Sequence, residues 1–401
     1  MKISKCRSCK SINLKKTFSL GKQVFTGLFP KNKNEIVPNG ELSLIFCNNC
    51  SLLQLEHSFD KKTLYGDNYG YMSSLNNAMK YHLWKKANLL KKYNLTNKDI
   101  IIDIGSNDGT FLSFFEKKFR LIGVDPTIKK FKKYYRKDII KVANFFSKET
   151  LIPIINKKAK LITSIAMFYD LKDPVKFAED VYELLDDDGI WHLELSYMPL
   201  MIKNLSYDTI CHEHLEYYSL NSIKYIFDKV GFSIIDLQVN NINGGSFSIT
   251  LNKKKISNKT VDWFLNQEIK NNINHMSTFK KFFFQINKQK KYLKDLLENL
   301  ADMKKKVYGY GASTKGNVIL QFSGINEQLL PLIGEVNSFK FNKYTPGTKI
   351  KIVSEKLIKK KKPDYLLVLP WHFKDFIIKK EKKFLDAGGR LIFPLPQIEI
   401  I

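Results

Sequence analysis

The 401-residue sequence predicts an α/β protein with a cysteine-paired N-terminal module, a central Rossmann-like domain and a smaller Rossmann-like C-terminal α/β domain. Strand and helix patterns alternate from residue 99 to about residue 249, and the alternation restarts at residue 306. Such alternation is typical of parallel, doubly wound sheets. Two CxxC pairs stand apart from both regions, within the first 50 residues. These observations place three units at residues 1–75, 76–250 and 251–401.

Local patterns predict the elements of each unit in order. The N-terminal unit contains the cysteine pairs, a hairpin around Pro38-Asn39-Gly40 and a Tyr-rich segment at 64–74. In the central unit we expect helix 76–93, strand 99–104, helix 110–118, strands 121–125 and 161–167, helix 175–185 and strand 190–195. In the C-terminal unit we expect a helical connector at 253–303, strand 306–311, helix 315–322 and strands 328–336, 365–370 and 390–394.

The composition is that of an ordinary globular protein, with 44% hydrophobic and 26% charged residues. No apolar run approaches the ~20 residues that cross a bilayer. Residues 1–10 also lack the apolar core of a secretory signal. We therefore expect no membrane partner and a cytoplasmic location, and the sequence predicts no particular oligomeric state.

The formal charge of +27 would ordinarily point to nucleic acid. Only four of the 66 basic residues are Arg, however, and the Lys residues are scattered among Asn, Ile and Phe. Base readout and bidentate phosphate contacts favour Arg. The charge therefore indicates a Lys bias, and we expect no nucleic-acid partner, although anionic substrates would be attracted.

Four of the five cysteines form two pairs with metal-ligand spacing. Cys6 and Cys9 are separated by two residues, as are Cys47 and Cys50. Tetrahedral Zn²⁺ takes four thiolates, and a two-residue gap lets one tight turn present two sulfurs to the same ion. The alternatives are a redox CxxC or four unrelated thiols. We predict a closed, structural zinc site.

A glycine turn follows the first strand of the central unit, with the pattern Gly105-x-x-x-Gly109. The dinucleotide fingerprint would be G-x-G-x-x-G, which seats a pyrophosphate on the helix end. The carboxylates of Asp103 and Asp108 would repel a pyrophosphate, but they suit S-adenosylmethionine (SAM), which is cationic at its reactive end and carries an amino group. The alternative is a glycine turn and helix cap without a ligand.

The next two strands end in residues that suit an adenosine. Asp125 follows Gly105 by 20 residues, where a ribose diol would be held. Asn144 falls where the third strand would approach the adenine. We predict SAM as the cofactor, bound by Asp103, Gly105, Asn107, Asp108, Asp125 and Asn144.

The run from Cys211 to Tyr218 concentrates ionisable groups: His212, Glu213, His214 and Glu216. These groups are costly to bury without partners. Helical metal sites separate their His residues by three or four positions, which disfavours a metal here. Acid–base chemistry is preferred, because His is a natural base near neutral pH and an adjacent Glu can orient it. A structural polar network is the alternative.

Six motifs together resemble a known family: IDIGSNDGTFL (102–112), YDTICHEHLEYYSL (207–220), NGGSFSIT (243–250), YGYGASTKGN (308–317), YTPGTKI (344–350) and DYLLVLPWHF (364–373). With the cysteine module, their order resembles the three-domain SAM-dependent sugar C-methyltransferases that act on nucleotide-linked keto-deoxysugars. The likeness covers essentially the whole chain. It implies methyl transfer from SAM to a sugar carbon next to a ketone, in a cleft between the central and C-terminal domains.

The resemblance implies that His214 is the base, with Glu213 as its neighbour. His212, Tyr71 and Tyr217 become candidates for holding the enolate, the substrate or the methionine end of the cofactor. The sequence departs from the family pattern at two places: Cys211 stands where the family has Tyr, and residues 167–169 (Met-Phe-Tyr) replace a His after the fourth strand. The identity of the methylated atom and the stereochemistry are therefore not carried over.

In the C-terminal unit, residues 308–317 form a strand, a glycine turn and a helix start. Free N–H groups at a helix N-terminus bind phosphate oxygens, and one Lys adds a charge. The P-loop pattern is absent, and a plain glycine turn is the alternative. Within the resemblance this turn belongs to a nucleotide-sugar site comprising Asn243, Gly244, Gly245, Ser313, Lys315 and Asn317.

Two other functions remain open from the sequence. The first is SAM-dependent O- or N-methylation of a sugar or sugar nucleotide, which requires no carbon acid to be deprotonated. The second is a zinc-containing, Lys-rich protein that binds or modifies RNA. Deuterium exchange into a keto-sugar would support carbon methylation, and salt-dependent RNA binding would support the last function.

Overall fold

The structure is a computed structural model, and it describes residues 1–64 and 70–401. Residues 65–69 of the predicted Tyr-rich segment lie outside the described residues. The chain forms three sheets, one in each predicted unit. The predicted α/β fold with three units is confirmed.

The N-terminal unit is an antiparallel sheet beside the cysteine pairs. Its elements are β1 (Leu14–Val24), β2 (Asn39–Cys47), β3 (Leu53–Leu55) and α1 (Lys61–Leu64). The predicted hairpin forms from β1 and β2, but its connection is residues 25–38, because Asn39 and Gly40 are already paired with Val24 and Gln23 in the sheet. Proline has no N–H to donate to a sheet, which suits it to the position before the first paired residue.

The central unit is a seven-stranded sheet flanked by helices. Its strands are β4 (Ile100–Ile104), β5 (Arg120–Val124), β6 (Ile140–Val142), β7 (Ala159–Ile165), β8 (Leu185–Ser196), β10 (Ser233–Asn240) and β11 (Ser246–Asn252). The short strand β9 (Glu216–Tyr217) lies between β8 and β10 in the sequence but belongs to the N-terminal sheet. The helices of the central unit are α2 (Asn77–Leu90), α3 (Ile128–Phe131), α4 (Lys148–Leu151), α5 (Pro174–Leu184), α6 (Met198–Lys203) and α7 (Leu220–Val230). The strand order is β10-β11-β8-β7-β4-β5-β6, with β4 to β8 parallel and β11 antiparallel to both of its neighbours.

One predicted helix of this unit does not form. Residues 110–118 contain a single 3₁₀ turn at Leu112–Phe114, after which Phe115 is extended. Phe111 and Phe115 are buried against each other with ring centroids 5.4 Å apart. Aromatic side chains lose rotamer freedom in a helix, and a segment this short gains little from helix propagation. Packing of the aromatic rings therefore decides the backbone here.

The C-terminal unit follows a helical connector made of α8 (Lys259–Lys270) and α9 (Met276–Asp302). Its strands are β12 (Val307–Tyr310), β13 (Leu332–Glu335), β14 (Lys351–Ser354), β15 (Tyr365–Val368), β16 (Arg390–Phe393) and β17 (Glu399–Ile400). Its helices are α10 (Thr314–Ser323), α11 (Glu355–Lys360), α12 (Lys374–Lys380) and α13 (Lys382–Asp386). The strand order β14-β13-β12-β15-β16-β17 is that of a Rossmann sheet, with its topological switch point between β12 and β15.

The three units are packed against one another. Strand β9, which lies in the central unit by sequence, pairs with β3 and completes the N-terminal sheet in the order β1-β2-β3-β9. One hydrophobic core joins Phe18 of β1, Ile286 of α9 and Val318 of α10. The boundaries at residues 75 and 250 remain predictions. Among the described residues, no helix is long and apolar enough to cross a bilayer.

Candidate active site

A cavity of about 820 Å³ lies where the carboxyl ends of the central and C-terminal sheets face each other. The central sheet contributes Ile104, Val124 and Ile165 at the ends of three parallel strands, and the C-terminal sheet contributes Tyr310 and Glu335. Ligands of open α/β sheets bind at this edge. The volume is in the range of ligand-binding clefts.

The turn after β4 is shaped to let a ligand approach the backbone. Gly105 has a φ of +80°, and a Cβ there would meet the side chain of Met167 at 3.0 Å. Asn107 also has a positive φ, of 51°. Its N–H donates to Asp125 Oδ2 at 2.9 Å, so the loop and the end of β5 are held together. The predicted residues Gly105, Asn107 and Asp125 all line the cavity.

Two carboxyl groups on this side are buried. Asp125 accepts hydrogen bonds at Oδ1 from the N–H and the hydroxyl of Thr127, at 2.7 and 2.5 Å. Asp103 accepts a hydrogen bond from the hydroxyl of Thr163 at 2.6 Å. Burial raises the pKa of both carboxyls, that of Asp103 to about 7. A bound cation would favour their ionised forms.

Asn144 lines the cavity beside Phe145, at the predicted position for an adenine. Asp108 does not line the cavity. Its Oδ1 accepts the Thr110 hydroxyl at 2.6 Å and its Oδ2 accepts the Ser74 N–H at 2.9 Å. Asp108 therefore ties the glycine turn to the segment before α2, and a 3₁₀ turn follows it instead of the predicted helix that its side chain could have capped.

The segment before α2 crosses the cofactor loop and brings Tyr71 to the cavity. Asn107 Nδ2 donates to the Tyr71 carbonyl at 3.2 Å, and the Ser73 N–H donates to Asn107 Oδ1 at 3.0 Å. The Gly70 carbonyl accepts from Asn337 of the C-terminal unit at 3.0 Å. Tyr71 is thereby held where the three units meet.

His214 faces the cavity from the central unit. Its Nδ1 lies 2.7 Å from the carbonyl oxygen of Thr209. Because a carbonyl only accepts, Nδ1 carries the proton and Nε2 keeps its lone pair. Burial, together with the charge of Lys315, lowers the pKa of His214 to about 3, so the imidazole is neutral at working pH.

Glu213 also lines the cavity, but in a different role from the one expected. Among the described residues, His214 Nδ1 donates to the Thr209 carbonyl and not to the Glu213 carboxyl. Glu213 is 7% exposed, its Oε2 has no hydrogen-bond partner among the described residues, and burial raises its pKa. A buried carboxyl of this kind is a proton donor more readily than an ion-pair partner.

Of three residues near His214 and Glu213, one lines the cavity and two lie in the protein interior. Cys211 lines the cavity, and burial raises the pKa of its thiol well above the ordinary value. His212 points away from it, into an aromatic pocket between Phe25 and Phe59, with ring centroids at 4.5 and 4.8 Å. Tyr217 is buried as well, and its hydroxyl donates to the His214 carbonyl at 3.0 Å.

The C-terminal unit supplies the opposite wall. Ser313 caps α10 by accepting the Gly316 N–H at 2.9 Å, and Lys315 in the first turn donates to the Asn243 carbonyl at 2.5 Å. Burial lowers the pKa of Lys315, and the charge of Asp208 opposes that shift. Ser313, Lys315 and Asn243 line the cavity as predicted for the substrate site.

The other predicted substrate residues lie behind this wall. The Gly244 carbonyl accepts from Asn204 and Ser206, at 2.9 and 3.1 Å. Gly245 has a φ of +126° beside Leu200. Asn317 Nδ2 donates to a backbone carbonyl of the N-terminal unit at 2.7 Å. Gly244, Gly245 and Asn317 therefore support the residues of the cavity wall without lining the cavity themselves.

Sequence reasoning missed four cavity residues. Tyr169 packs against His214 with ring centroids 4.3 Å apart, and His372 lies near Lys315, whose charge helps burial to lower the pKa of His372 to about 3. Glu335 ends β13. Glu194 is ion-paired with His82 and Lys86, at 2.5 and 2.8 Å. The end of a strand was an available signal for Glu335, whereas the others are placed only by tertiary packing.

The four predicted zinc ligands converge. The sulfurs of Cys6, Cys9, Cys47 and Cys50 all lie within 4.8 Å of one another, with Cys6–Cys50 at 3.6 Å and Cys9–Cys47 at 3.4 Å. Four thiolates at about 2.3 Å from one ion require sulfur separations of this order. They are the one group of three or more metal-ligand side chains within the described ranges, so the Cys-His-Glu-His run does not form a second centre.

Comparisons with known proteins cover nearly the whole chain. Family models match at residues 6–65 for a zinc binding domain, 78–237 for a methyltransferase domain and 241–396 for a C-methyltransferase C-terminal domain. The C-methyltransferase NovU of Streptomyces niveus is 28% identical over 419 aligned positions, which cover 100% of this chain and 97% of NovU. The prediction of a zinc module is confirmed by the first match together with the four sulfurs.

Solved structures resemble only part of the chain. The plantazolicin methyltransferase BpumL, in complex with SAH (S-adenosylhomocysteine), is 12% identical, with a TM-score of 0.37 over 45% of this chain and 88% of BpumL. A SAM-dependent methyltransferase from Clostridium acetobutylicum is 14% identical, with a TM-score of 0.33 over 44% of this chain and 92% of its own.

Proposed function

We propose that the methyl acceptor of this SAM-dependent C-methyltransferase is a carbon beside the ketone of a nucleotide-activated sugar, as the three family matches and the whole-length similarity to NovU support. The observation that carries the proposal is the neutral His214, whose Nε2 keeps its lone pair beside the cavity. Carbon methylation next to a ketone needs such a base, and it differs from methylation of a sugar oxygen or nitrogen because a C–H bond must be broken.

The residues on the cofactor side suit SAM. Asp125 would accept hydrogen bonds from the ribose hydroxyls, and Asn144 and Phe145 would border the adenine. Asp103 would lie near the cationic methionine end. When bound there, SAM would supply an electrophilic methyl group, and these side chains would hold and orient it.

In the proposed chemistry, His214 Nε2 takes a proton from the sugar carbon. The electron pair of the broken C–H bond would move toward the ketone oxygen and give an enolate whose carbon is nucleophilic. SAM bound beside it would supply the electrophilic methyl group, with its S–CH₃ bond breaking and SAH as the leaving group. Burial raises the pKa of Glu213, and in its protonated form this carboxyl would donate a hydrogen bond to the enolate oxygen. The imidazolium would be stabilised by the negative charge on that oxygen, which opposes the lowering of the His214 pKa by burial.

The C-terminal unit would hold the nucleotide. The glycine turn after β12 leads into α10, whose N-terminal N–H groups and Lys315 suit phosphate oxygens. Glu335 ends the second strand of this Rossmann sheet and lines the cavity, which is where such folds contact the sugar hydroxyls of a nucleotide. The cytoplasmic location predicted from the sequence fits a nucleotide-sugar substrate and stays a prediction.

The test is solvent deuterium exchange into nucleotide keto-sugars in D₂O with SAH present, followed by mass spectrometry. We expect His214→Asn to slow both exchange and methylation by about 10²–10⁴-fold, the usual worth of a general base. Binding of SAH should be unchanged, because the base acts on the transition state. The exposed His275 provides the control variant His275→Asn. Normal exchange in His214→Asn would contradict the proposal.

A further inference from the structure

His214 lies immediately beside the sheet of the zinc module. Two residues after it, β9 (Glu216–Tyr217) pairs with β3, with Gln54 opposite Glu216. The Leu55 N–H extends this pairing by donating to the Leu215 carbonyl at 2.9 Å. The backbone that carries His214 is therefore fixed on one side by the N-terminal sheet.

A side chain of the same strand reaches back to His214. The Tyr217 hydroxyl donates to the His214 carbonyl at 3.0 Å, and both groups are inside the protein. On the other flank, the Leu215 N–H donates to the Tyr169 carbonyl at 2.7 Å. A shift of β9 would therefore move the imidazole relative to the cavity.

Arg7 connects this strand to the zinc ligands. It lies between Cys6 and Cys9 and is 4% exposed. Its guanidinium donates to the carbonyls of Leu55 and His57, at 2.6 and 3.1 Å. It therefore holds the strand next to β9 by two backbone contacts.

The same guanidinium also approaches β9 directly. Arg7 Nε lies 3.9 Å from Glu216 Oε1, and both side chains are 3% exposed or less. Arg7 NH1 and the Arg7 backbone N–H both approach Gln54 Oε1, at 3.3 and 3.1 Å. Gln54 Nε2 in turn donates to Cys6 Sγ at 3.2 Å. A continuous set of contacts thus runs from a zinc ligand to β9, the strand that follows the base by two residues.

We propose that Arg7, Glu216 and Tyr217 are positioning residues through which the zinc module sets the place of His214. The inference rests on the proposed role of His214 as the base. It gives the zinc module a part in turnover, beyond the folding energy that structural zinc supplies. None of the three side chains touches the cavity, so none is a catalytic residue.

The test uses the full-length protein with its zinc. Tyr217→Phe removes only the hydroxyl that holds the His214 carbonyl, and Glu216→Gln keeps the shape but removes the charge that faces Arg7. We expect kcat and the deuterium-exchange rate to fall by about 10- to 100-fold, the range for a displaced catalytic group. Zinc content by elemental analysis, SAH affinity by calorimetry and KM should stay within about two-fold of the wild type.

Glu268→Gln is the matched control for Glu216→Gln. Glu268 is as buried as Glu216, and it holds Tyr197 and the start of α7 instead of the segment with His214. It should lower thermal stability and leave kcat nearly unchanged. Arg7→Lys, which keeps the charge, should retain more activity than Arg7→Met.

Normal kcat and exchange in both Tyr217→Phe and Glu216→Gln would overturn the proposal. A matching loss of zinc or of SAH affinity in these variants would overturn it as well, since that result indicates general disruption. Failure of the proposed function has a different signature, because His214→Asn would then exchange normally.

Discussion

The buried carboxyl of Asp103 predicts that cofactor binding depends on pH. It is buried at the end of β4, and burial raises its pKa to about 7 in the ligand-free protein. A cationic ligand favours the ionised carboxyl and lowers that pKa in the complex. Binding therefore releases a proton wherever the free protein holds one. Affinity should be highest above pH 7 and should weaken as the pH falls through 7.

The size of the effect follows from the pKa of about 7. At pH 6 about one Asp103 in eleven is ionised before binding, and at pH 7.5 about three in four are, so Kd should rise by about eight-fold between pH 7.5 and pH 6. This factor corresponds to roughly 1.2 kcal/mol.

Isothermal titration calorimetry with SAM or SAH between pH 6 and 7.5 measures this dependence. Repeating it in buffers of different ionisation enthalpy counts the protons released. Asp103→Asn should bind more weakly and should lose the pH dependence. Asp99→Asn is the control, because Asp99 precedes the opposite end of β4 and pairs with Lys157 at 3.4 Å. A pH dependence that survives in Asp103→Asn would refute the reasoning.

Three further outcomes are expected. Asp125→Ala should weaken SAH binding by about 1.5–3 kcal/mol, the range for hydrogen bonds to a charged group, and unchanged affinity by calorimetry would place the ribose elsewhere. Cys47→Ser should lose zinc by elemental analysis and lower the melting temperature, because zinc binding contributes folding energy; a fully loaded variant would contradict the four-cysteine site. Gly105→Ala should lower the free energy of unfolding by about 1–2 kcal/mol through backbone strain alone, and the new Cβ would also meet Met167. This variant should bind SAH more weakly. Gly324→Ala is the control, because Gly324 also has a positive φ, of +65°, but has open space around it, and SAH binding should be unchanged.

The sequence was most informative where the determinants are local. The cofactor loop was predictable because a buried strand, a glycine turn and a spaced carboxylate occur in one continuous stretch, and all three meet at the cavity. The zinc site was predictable because paired thiols carry their own spacing rule. The prediction of a helix at 110–118 was wrong because the spacing of the buried aromatic residues resembles one face of a helix. In the structure the packing of those rings accompanies a single 3₁₀ turn followed by an extended Phe115.

The partners of the acid–base groups could not be read from the chain. Glu213 was expected to orient His214 because it is adjacent, yet the Thr209 carbonyl takes that place. His212 looked equivalent to His214, but two phenylalanines from the N-terminal unit enclose it. Adjacent residues in an irregular segment point in different directions, and only the tertiary fold decides which of them faces the cavity.

The place of β9 in the N-terminal sheet has a consequence for how the protein folds while it is being synthesised. Strands β1 to β3 leave the ribosome early, but their fourth neighbour is synthesised about 160 residues later. Until then β3 presents an unpaired edge, and exposed edges of this kind recruit other strands. A fragment that ends near residue 75 would carry that edge permanently. The N-terminal module therefore completes its fold only with the central domain, and soluble expression should require a chain that extends past residue 217.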